Sequence, residues 1–563
     1  MATTAPLPRA ELWARLRQPQ PWDLVIIGGG ATGLGTALDA AARGFSVALV
    51  ESHDFAQGTS SRATKLAHGG VRYLAQGDIG LVREALHERA AILANAPHVA
   101  QRLAFVMPGY HWWERGFYGV GLKAYDALAG GRGLGGTEWL STRRTQELLP
   151  GVNPRGLWGG VRYWDGQFDD ARLALLLART AISRGAVVLN HCAAESLLHE
   201  GEHVAGVQVR CAETGVAAVL RSRCVVNATG VWVDAVRGMD HLAAQNAQNA
   251  QNAQNATTPA PHAKAVATGQ GPALMPMVAP SQGVHLVVDR AFSPGQHALL
   301  VPKTADGRVL FVVPWLGKTI LGTTDTPRQD LAREPTPFAE EVAFILGEAG
   351  RYLVRAPLRS DVRSVWVGLR PLVKPAADDA GAAPGSSGTK TLSREHTVRV
   401  SRSGLVTVTG GKWTTYRAMA EDVLERCMST GLLAQRPAGV TARLPLLGAA
   451  AGRPLSEPPG EHLYGSEAAL LRSLPGAQTW LWRDAESGKG GLSEAMVRFA
   501  ARYEMARTVH DVLARRCRLL FLDAAEAARC ADAVAALLRD ELQRDADAAA
   551  FKALAAQYQQ LPS

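Results

Sequence analysis

Three glycines near the start of the chain have a spacing that suits contact with a phosphate group. Gly28, Gly30 and Gly33 follow an apolar run and precede a segment compatible with a helix. In a strand–turn–helix unit, glycines at these positions let the backbone approach a pyrophosphate at the helix N-terminus. A second apolar run ends in Glu51, 18 positions after Gly33, where an acidic residue binds a ribose hydroxyl. The pattern predicts a dinucleotide site.

Two later segments, 227–230 and 409–412, also place glycine directly after an apolar strand. They read Asn-Ala-Thr-Gly and Thr-Gly-Gly-Lys. A nicotinamide enzyme usually has one such unit, whereas a longer cofactor is touched at several points. We therefore expect the bound dinucleotide to be FAD rather than NAD.

The bulk composition is that of a large globular protein. The chain has 563 residues, of which 47% are hydrophobic and 20% charged, and this length predicts two or three domains. The net charge of +9 favours anionic partners such as phosphorylated substrates or acidic lipid. Because no block of lysine or arginine stands out, nucleic acid is not an expected partner.

The six cysteines have neither C-x-x-C spacing nor the spacing of metal ligands, so no metal site is predicted. They are expected to be reduced core residues of a cytoplasmic protein. Residues 1–21 lack the apolar core of a secretory signal. No run of about 18 apolar residues occurs, so we expect a protein that is either soluble or bound to a membrane surface.

The order of strand-like and helix-like segments predicts an α/β fold with several parts. These are a Rossmann-type FAD-binding domain, a substrate domain with an antiparallel sheet, and a C-terminal all-helical domain. The first of two expected insertions contains the triplet Gln-Asn-Ala four times in a row, which is typical of disorder. The predicted boundaries are an N-terminal extension at 1–21, the discontinuous FAD-binding domain at 22–100, 160–237 and 395–430, the substrate domain at 101–159 and 276–375, disordered insertions at 238–275 and 376–392, and the helical domain at 434–563.

An aromatic stretch, 112–125, is interleaved with Arg115 and Lys123. Its aromatic side chains fit two interpretations equally. They can belong to the core, or they can form a membrane-surface element, since Trp, Tyr and basic residues favour the bilayer interface.

Longer motifs identify the family that the chain resembles. The segment 65–74 reads K-L-A-H-G-G-V-R-Y-L, and 410–417 reads G-G-K-W-T-T-Y-R. With the glycine turns, the S-x-G-x-H pattern at 281–285 and a helical C-terminal region, they resemble the FAD-dependent glycerol-3-phosphate dehydrogenases, within the D-amino-acid oxidase-like flavoproteins. Further matched segments are 322–325, 368–372 and 393–395. The resemblance covers nearly the whole chain.

The resemblance implies a set of cofactor contacts that goes beyond the fingerprint glycines. They come from the loop after the first unit and from the second and third glycine turns. The expected FAD contacts are Gly28, Gly30, Gly33, Glu51, Thr59, Ser60, Ser61, Lys65, His68, Gly69, Gly70, Gly230, Gly411, Lys412 and Thr414.

The resemblance also implies the substrate and the reaction, which is oxidation of glycerol 3-phosphate to dihydroxyacetone phosphate by hydride transfer to FAD. The phosphate carries about −1.5 to −2 charge at pH 7. Arginine suits its recognition because the guanidinium offers planar, fixed donors. The expected substrate contacts are Arg72, Tyr73, His285, Arg370, Arg394 and Lys412.

The oxidation further needs a group that accepts the proton of the C2 hydroxyl. Histidine is the usual acceptor near neutral pH, and His285 is the candidate because it lies on a predicted strand within a matched motif. Arg370 and Lys412 complete the expected catalytic set, Lys412 either stabilising the charge of reduced flavin or holding the substrate. Arginine stays protonated, so the arginines are excluded as bases.

The electrons need an external acceptor, because the sequence contains no iron–sulfur or haem motif. The resemblance implies a membrane quinone, with the protein on the inner face of the cell membrane; a homodimer is left open. Two alternatives keep the fold: a soluble oxidase that reduces oxygen to peroxide, and an amine or amino-acid oxidase, which needs one arginine for a carboxylate. A flavin-binding scaffold without enzymatic activity is the third alternative.

Overall fold

The first glycine turn belongs to a mostly parallel sheet. The computed structural model describes residues 8–70, 78–242, 274–304, 307–374 and 395–563. The edge strand of this sheet runs antiparallel, and the other pairs along its main path are parallel. In sheet order the strands are β17 (His396–Val400), β18 (Val406–Gly410), β10 (Ala217–Asn227), β1 (Trp22–Ile27), β2 (Val47–Val50) and β7 (Val187–Leu189). An antiparallel extension of β10 is formed by β8 (Cys192–Glu200) and β9 (His203–Cys211).

Helices cover this sheet and complete the predicted Rossmann-type unit. α2 begins directly after the glycine fingerprint, and its small residues let it pack against two other helices. One of these is capped by Asp169, whose side chain accepts a hydrogen bond from the backbone N–H of Arg172 at 3.1 Å, a common N-cap arrangement. The helices of this part are α1 (Arg9–Leu16), α2 (Ala31–Ala42), α6 (Asp170–Ser183) and α9 (Tyr416–Ser429). Their positions confirm the predicted strand–turn–helix order.

A second, ten-stranded sheet is mostly antiparallel, as predicted for the substrate domain. Its main path runs β15 (Thr326–Pro327), β11 (Val278–Asp289), β14 (Lys318–Gly322), β13 (Leu310–Trp315), β12 (Ala298–Val301), β4 (Ala100–Gly109), β6 (Gly159–Phe168) and β3 (Leu66–Ala67), with β16 (Ser364–Val373) paired to β11 and β5 (Glu138–Leu140) paired to β6. Its helices are α4 (Glu114–Ala129), α5 (Thr142–Leu148) and α8 (Ala339–Tyr352), whereas α3 (Ile79–Asn95) contacts both domains, since its Ile92 belongs to the core of the first domain.

The expected domain limits differ from the structure at 66–67, 160–168 and 238–242. Residues 66–67, expected in the FAD-binding domain, form β3, which pairs with β6 in the second sheet. Residues 160–168, expected in the FAD-binding domain, lie in the second sheet, because β6 pairs with β4 along its whole length. Residues 238–242, expected at the start of a disordered insertion, belong to a helix, α7, described over 233–242. Asp240 anchors that helix by accepting hydrogen bonds from the hydroxyls of Ser401 and Ser403. Most of both insertions, at 243–273 and 375–394, lies outside the described residues.

The C-terminal domain packs on one face of the second sheet. Its core is continuous with that sheet, since Trp315 and Trp366 from the strands join Phe521 in one apolar cluster. The domain contains the predicted helices and also a two-stranded sheet, which the all-helical prediction missed. Its elements are α10 (Ala468–Arg472), β19 (Trp480–Arg483), β20 (Gly491–Ser493), α11 (Glu494–Tyr503), a π-helix (Asp511–Arg516), α12 (Leu519–Leu522), α13 (Ala524–Leu542) and α14 (Ala548–Gln559).

Buried ion pairs connect the C-terminal domain to the first domain. Arg515 and Arg516 of the π-helix both donate to the carboxylate of Asp54, which follows β2. Arg172 of α6 pairs with Glu504 at 2.8 Å, with both side chains fully buried. Because a buried charge without its partner costs several kcal/mol, these pairs fix how the two domains dock.

The cysteines and the helix lengths bear on the expectations drawn from composition. All six cysteines are buried and unbridged, as predicted. Nowhere in the described residues does a helix combine the length and apolarity needed to cross a membrane.

Candidate active site

The three glycine turns meet at one edge of the first sheet. Ile27 on β1 lies opposite Asn227 on β10, which in turn lies opposite Thr407 on β18. The backbone N–H of Ala228 donates to the carbonyl oxygen of Ile27 at 2.9 Å. Because the carboxyl ends of parallel strands share an edge, where such sheets bind nucleotides, this register confirms the predicted convergence of the three segments.

The fingerprint turn requires glycine for two different reasons. Gly28 has φ +115°, and a side chain there would come within 2.6 Å of the carbonyl oxygen of Ala228. A side chain on Gly33 would collide with the carbonyl oxygen of Gly28, so α2 can pack against the turn only with glycine. At Gly30, by contrast, an added Cβ would meet only the Ser60 side chain, at 3.0 Å. This open backbone fits the approach of a dinucleotide pyrophosphate.

Glu51 is held beside the same turn. One of its carboxylate oxygens accepts the backbone N–H of Gly29 at 2.7 Å, and the other accepts the backbone N–H of His53 at 2.9 Å. The oxygen that accepts from His53 also accepts the Ser52 hydroxyl at 3.1 Å, so the oxygen that accepts from Gly29 is the one that can take a further hydrogen bond. The position therefore fits a ribose hydroxyl, as expected from the sequence.

The loop that follows, Thr59–Ser61, fastens the turn to the second sheet. Thr59 donates its hydroxyl to the carbonyl oxygen of Leu369, and the Ser60 hydroxyl accepts the backbone N–H of Ala31 at 3.0 Å. The hydroxyl of Ser61 is buried and has no hydrogen-bond partner among the described residues. A buried hydroxyl without a protein partner fits a site that binds a polar ligand.

Lys65 lies in the same loop, but its ammonium group has its partners inside the protein. It is completely buried and donates to Asp170 Oδ2 and to the carbonyl oxygen of Ser61, both at 2.8 Å. The cost of burying an unpaired ammonium explains this arrangement. The expected contact between Lys65 and FAD is therefore corrected to a contact within the core.

Gly69 also has a packing role. A side chain at this position would collide with Tyr125 and Leu86, and its backbone N–H donates to Asp165 at 3.2 Å. Gly70, with φ +79°, is the last described residue before the gap at 71–77. The predicted cofactor role of both glycines stays a prediction.

The second and third glycine turns bring backbone atoms and Lys412 to the edge of the first sheet where the three turns meet. Gly230 and Gly411 have φ values of +63° and +72°, which favour glycine. Lys412 directly precedes a short 3₁₀-helix, Trp413–Thr415, and is partly exposed. A lysine at this position can reach a ligand bound along the edge.

Side chains of this 3₁₀-helix connect the third turn to the first loop. The indole N–H of Trp413 donates to the carbonyl oxygen of Ser60 at 2.8 Å. The hydroxyl of Thr414 donates to the carbonyl oxygen of His68 at 3.5 Å. His68 and Thr414, both expected near the cofactor, are thus neighbours across 346 residues of sequence.

His285 lies on β11, opposite Gly322 and Trp366. Its Nε2 is 2.9 Å from the Thr64 hydroxyl, and its ring stacks on Trp366 at 5.2 Å and 15°. Burial and the positive charges of Lys65 and Arg370 hold the pKa of His285 well below its usual range. The imidazole is therefore neutral near pH 7, in the form that can accept a proton.

Arg370 lies on β16, in register with Ser281 of β11. Its guanidinium donates to the carbonyl oxygen of Thr324 at 3.0 Å and to the carboxylate of Asp325 at 3.1 Å. The side chain is 26% exposed. The second terminal nitrogen of the guanidinium donates to the hydroxyl of Thr323 at 3.4 Å. A planar guanidinium of this kind suits the recognition of a phosphate.

Three expected substrate contacts lie outside the described residues. They are Arg72, Tyr73 and Arg394. Their roles stay predictions.

Sequence reasoning missed the residues that surround His285 and Lys65. Thr64 carries no motif signal, Asp170 reads as the start of a helix, and Arg518 lies 348 residues away from Asp170. One signal was available: Arg515, Arg516 and Arg518 stand between apolar residues, where charged side chains need buried partners.

Comparison with known families defines the class of the protein. Residues 23–417 match the sequence model of a family described as FAD dependent oxidoreductase. Residues 439–549 match the C-terminal domain of alpha-glycerophosphate oxidase. The chain is therefore an FAD-dependent oxidoreductase, which agrees with the glycine turns and the open backbone at Gly30.

Relatives over nearly the full length narrow this class. The mitochondrial glycerol-3-phosphate dehydrogenase of Arabidopsis thaliana is 38% identical over 93% of this chain and 84% of its own length. The human mitochondrial glycerol-3-phosphate dehydrogenase is 38% identical over 94% of this chain and 72% of its own length. The X-ray structure of glycerol-3-phosphate dehydrogenase from Bacillus halodurans, complexed with FAD, has a TM-score of 0.71 at 27% identity and covers 98% of both chains. The chain belongs to the family of FAD-dependent glycerol-3-phosphate dehydrogenases.

Proposed function

We propose that the protein oxidises sn-glycerol 3-phosphate to dihydroxyacetone phosphate and passes the electrons to a membrane quinone. The observation that carries the first part is the loop 59–65. At one end Ser60 contacts the fingerprint turn, and at the other Thr64 contacts the neutral His285. One short segment thus connects the cofactor site to a candidate base.

In this proposal the protein's side chains hold the phosphate and move one proton. Arg370 and Lys412, with Arg72, Arg394 and Tyr73, bind the phosphate, and charge-assisted hydrogen bonds of this kind contribute about 1.5–3 kcal/mol each. Neutral His285 accepts the proton of the C2 hydroxyl as the C2–H bond breaks. FAD, when bound, supplies the acceptor for the hydride from C2.

The test is an absorbance spectrum of the purified protein followed by anaerobic addition of glycerol 3-phosphate. We expect a flavin band that bleaches on addition of this substrate. Glycine or a D-amino acid at the same concentration is the control and should leave the band unchanged. Bleaching by the amino acid alone would support an amine oxidase, and no response of bound flavin to glycerol 3-phosphate would refute the proposed substrate.

Exposed aromatic side chains support the membrane part of the proposal. Trp112 and Phe117 are 75% and 68% exposed, at and just inside the start of α4. We call the patch that they form with three further exposed tryptophans the aromatic surface: Trp112, Trp113, Phe117, Trp139 and Trp158. Large exposed aromatic groups of this kind mark sites of contact with a partner or a lipid surface.

The members of the aromatic surface are neighbours and lie among cations. Trp139 donates its indole N–H to the carbonyl oxygen of Arg115 at 3.0 Å, and Arg115 donates to the carbonyl oxygen of Trp158 at 3.4 Å. The ammonium of Lys123 lies 5.6 Å from the Trp139 ring. Aromatic rings with adjacent Lys and Arg suit the interface of an anionic bilayer. Tyr125, from the same stretch, is buried, so the core interpretation holds for that residue.

Binding to vesicles tests this surface. We expect the protein to sediment with vesicles of phosphatidylcholine and phosphatidylglycerol, and the double variant Trp112→Ser, Phe117→Ser to lose at least tenfold in affinity, because each ring removed from water contributes about 1.5–3 kcal/mol. Val216→Ser, Val219→Ser is the matched control, since both valines are exposed on the β9–β10 hairpin. Equal losses in the two double variants would refute a role for the aromatic surface.

The electron acceptor needs its own measurement. We expect reduction of a soluble quinone analogue in step with oxidation of glycerol 3-phosphate, and little hydrogen peroxide in air. Stoichiometric peroxide would instead support a soluble oxidase of the same fold.

A further inference from the structure

A buried cluster of charges lies behind the loop that contacts His285. Lys65, Asp170 and Arg518 each have side chains with 0% exposure. Lys65 donates to Asp170 Oδ2 at 2.8 Å, and Arg518 donates to Asp170 Oδ1 at 3.1 Å. Both cations also donate to the carbonyl oxygen of Ser61, at 2.8 and 2.7 Å. The backbone N–H of Ala63 donates to Asp170 at 3.0 Å, so the loop is held at three points.

Aromatic rings separate this cluster from the imidazole. The Lys65 ammonium lies 5.2 Å from the Trp315 and Trp366 rings and 5.5 Å from the Phe521 ring. Trp366 is also the ring on which His285 stacks. A low-dielectric layer of this kind screens charge poorly, so the lysine acts on the histidine more strongly than it would through water.

The backbone at Lys65 is unusual as well. Its φ of +66° lies in the left-handed region, which costs about 1–2 kcal/mol for a residue with a side chain. The preceding residue, Thr64, provides the hydroxyl 2.9 Å from His285 Nε2. Pairing of the ammonium with Asp170 offsets this strain and thereby fixes Thr64 against the imidazole.

We propose that Lys65, Asp170 and Arg518 are positioning residues for His285: together they orient its ring through Thr64, and Lys65 places a positive charge beside it. This inference rests on the proposed function, in which His285 accepts the substrate proton. It also gives the C-terminal domain a part in the reaction, because Arg518 comes from the turn before α12 and donates to the loop at Ser61.

Several charged groups surround His285. Lys65 faces it from the loop, with Asp170 and Arg518 behind, and Arg370 faces it from β16, with Asp325 as its partner. Of these, Lys65 can be neutralised with the least change of shape, since methionine has a similar length and is apolar. Burial lowers the pKa of Lys65 to about 7, so Lys65 is charged on the acidic side of that pH, where His285 takes up its proton. Removing that positive charge is therefore expected to raise the pKa of His285.

The test is the pH dependence of anaerobic flavin reduction by glycerol 3-phosphate in the holoenzyme, with Lys65→Met. We expect the acidic limb of the rate profile to move to higher pH by roughly one unit. Lys552→Met is the matched control, because Lys552 is exposed and paired with an aspartate. An acidic limb that stays in place in Lys65→Met, with rates lowered equally at every pH, would overturn the proposal.

Arg518→Lys tests orientation separately. It keeps the charge but cannot donate to Ser61 and Asp170 together as the guanidinium does, so we expect at least a fivefold lower rate with the acidic limb unmoved. A wild-type rate in this variant would contradict the role of Arg518. If Lys65→Met does not retain flavin, Thr64→Val tests the same contact, because it removes the hydroxyl that lies against His285. A lower kcat with an unchanged KM supports the positioning of His285, and an unchanged kcat refutes it.

A second readout does not depend on turnover. With ring-labelled histidine, the His285 signal of the oxidised holoenzyme, assigned from its loss in His285→Gln, is expected to titrate at higher pH in Lys65→Met than in the wild type. Identical titration in both would overturn the proposal. If glycerol 3-phosphate does not bleach the wild-type flavin, the proposed function itself fails, whereas bleaching with an unmoved titration refutes only the inference about the buried cluster.

Discussion

Replacing His285 by asparagine removes the proposed base and leaves a polar side chain of smaller size. Asparagine cannot accept the C2 hydroxyl proton at a useful pKa, so the variant is expected to bind flavin and substrate but to reduce the flavin slowly. General-base catalysis contributes about 10²–10⁴-fold, which corresponds to about 3–5 kcal/mol of activation free energy.

The structure places the expected loss in the upper half of that range. His285 is 2% exposed and is covered by Trp366 on one face, so little space remains for water to act as a substitute base. The loss of stacking costs about 0.5–1.5 kcal/mol of folding free energy. This is small enough for the variant to fold. We therefore expect a rate loss of about 10³-fold or more, with flavin content unchanged.

The assay is anaerobic stopped-flow measurement of flavin bleaching by glycerol 3-phosphate. His462→Asn is the control, because His462 is another largely buried histidine whose pKa is lowered to about 4 by burial, but it lies in the C-terminal domain. The control should retain its rate. A loss of less than tenfold in His285→Asn would refute the assignment of His285 as the base.

Four further outcomes follow from named contacts. Asp54→Asn should lower the free energy of unfolding by about 3–5 kcal/mol, measured by urea denaturation, because two buried arginines lose their shared carboxylate; a change below about 1 kcal/mol would contradict this. Arg370→Lys should raise the KM for glycerol 3-phosphate about tenfold with little change in kcat, since lysine lacks the planar fork; an unchanged KM would count against the phosphate contact. Gly33→Ala should lose bound flavin and melt at a lower temperature than Gly30→Ala. Gly30→Ala should fold but bind flavin weakly. A lower melting temperature in Gly30→Ala than in Gly33→Ala would refute the packing argument. The pKa of His285 in the folded protein is below the unfolded value of about 6.5, so its contribution to the free energy of unfolding is complete above that pH and is lost as the pH falls further. We expect the urea midpoint of the wild type to fall more between pH 7 and 5 than that of His285→Asn. An equal or smaller fall in the wild type would contradict this.

The spacing of glycines and apolar runs was sufficient to predict the dinucleotide site at the edge of the first sheet. The fingerprint glycines, Glu51 and the strands around them depend on contacts between neighbouring elements. Gly28 and Gly33 each have a steric requirement that substitution would violate. Convergence of the three turns was also predictable, because parallel strands ending in glycine share one edge of a sheet. The register of Ile27, Asn227 and Thr407 agrees with that expectation.

The sequence alone determined the family motifs, the cofactor class and the candidate base. Each depends on residue types within short motifs, and three such motifs along the chain together indicated FAD. Only the tertiary structure decided what Lys65 contacts, which sheet contains β6, and which charges lie behind His285. Lys65 stands inside a cofactor motif, yet its ammonium pairs with Asp170, 105 residues away, and shares that partner with Arg518 from the C-terminal domain. The physical reason is burial. A charged side chain that leaves water must find a partner wherever the fold brings one, and no local pattern encodes that position.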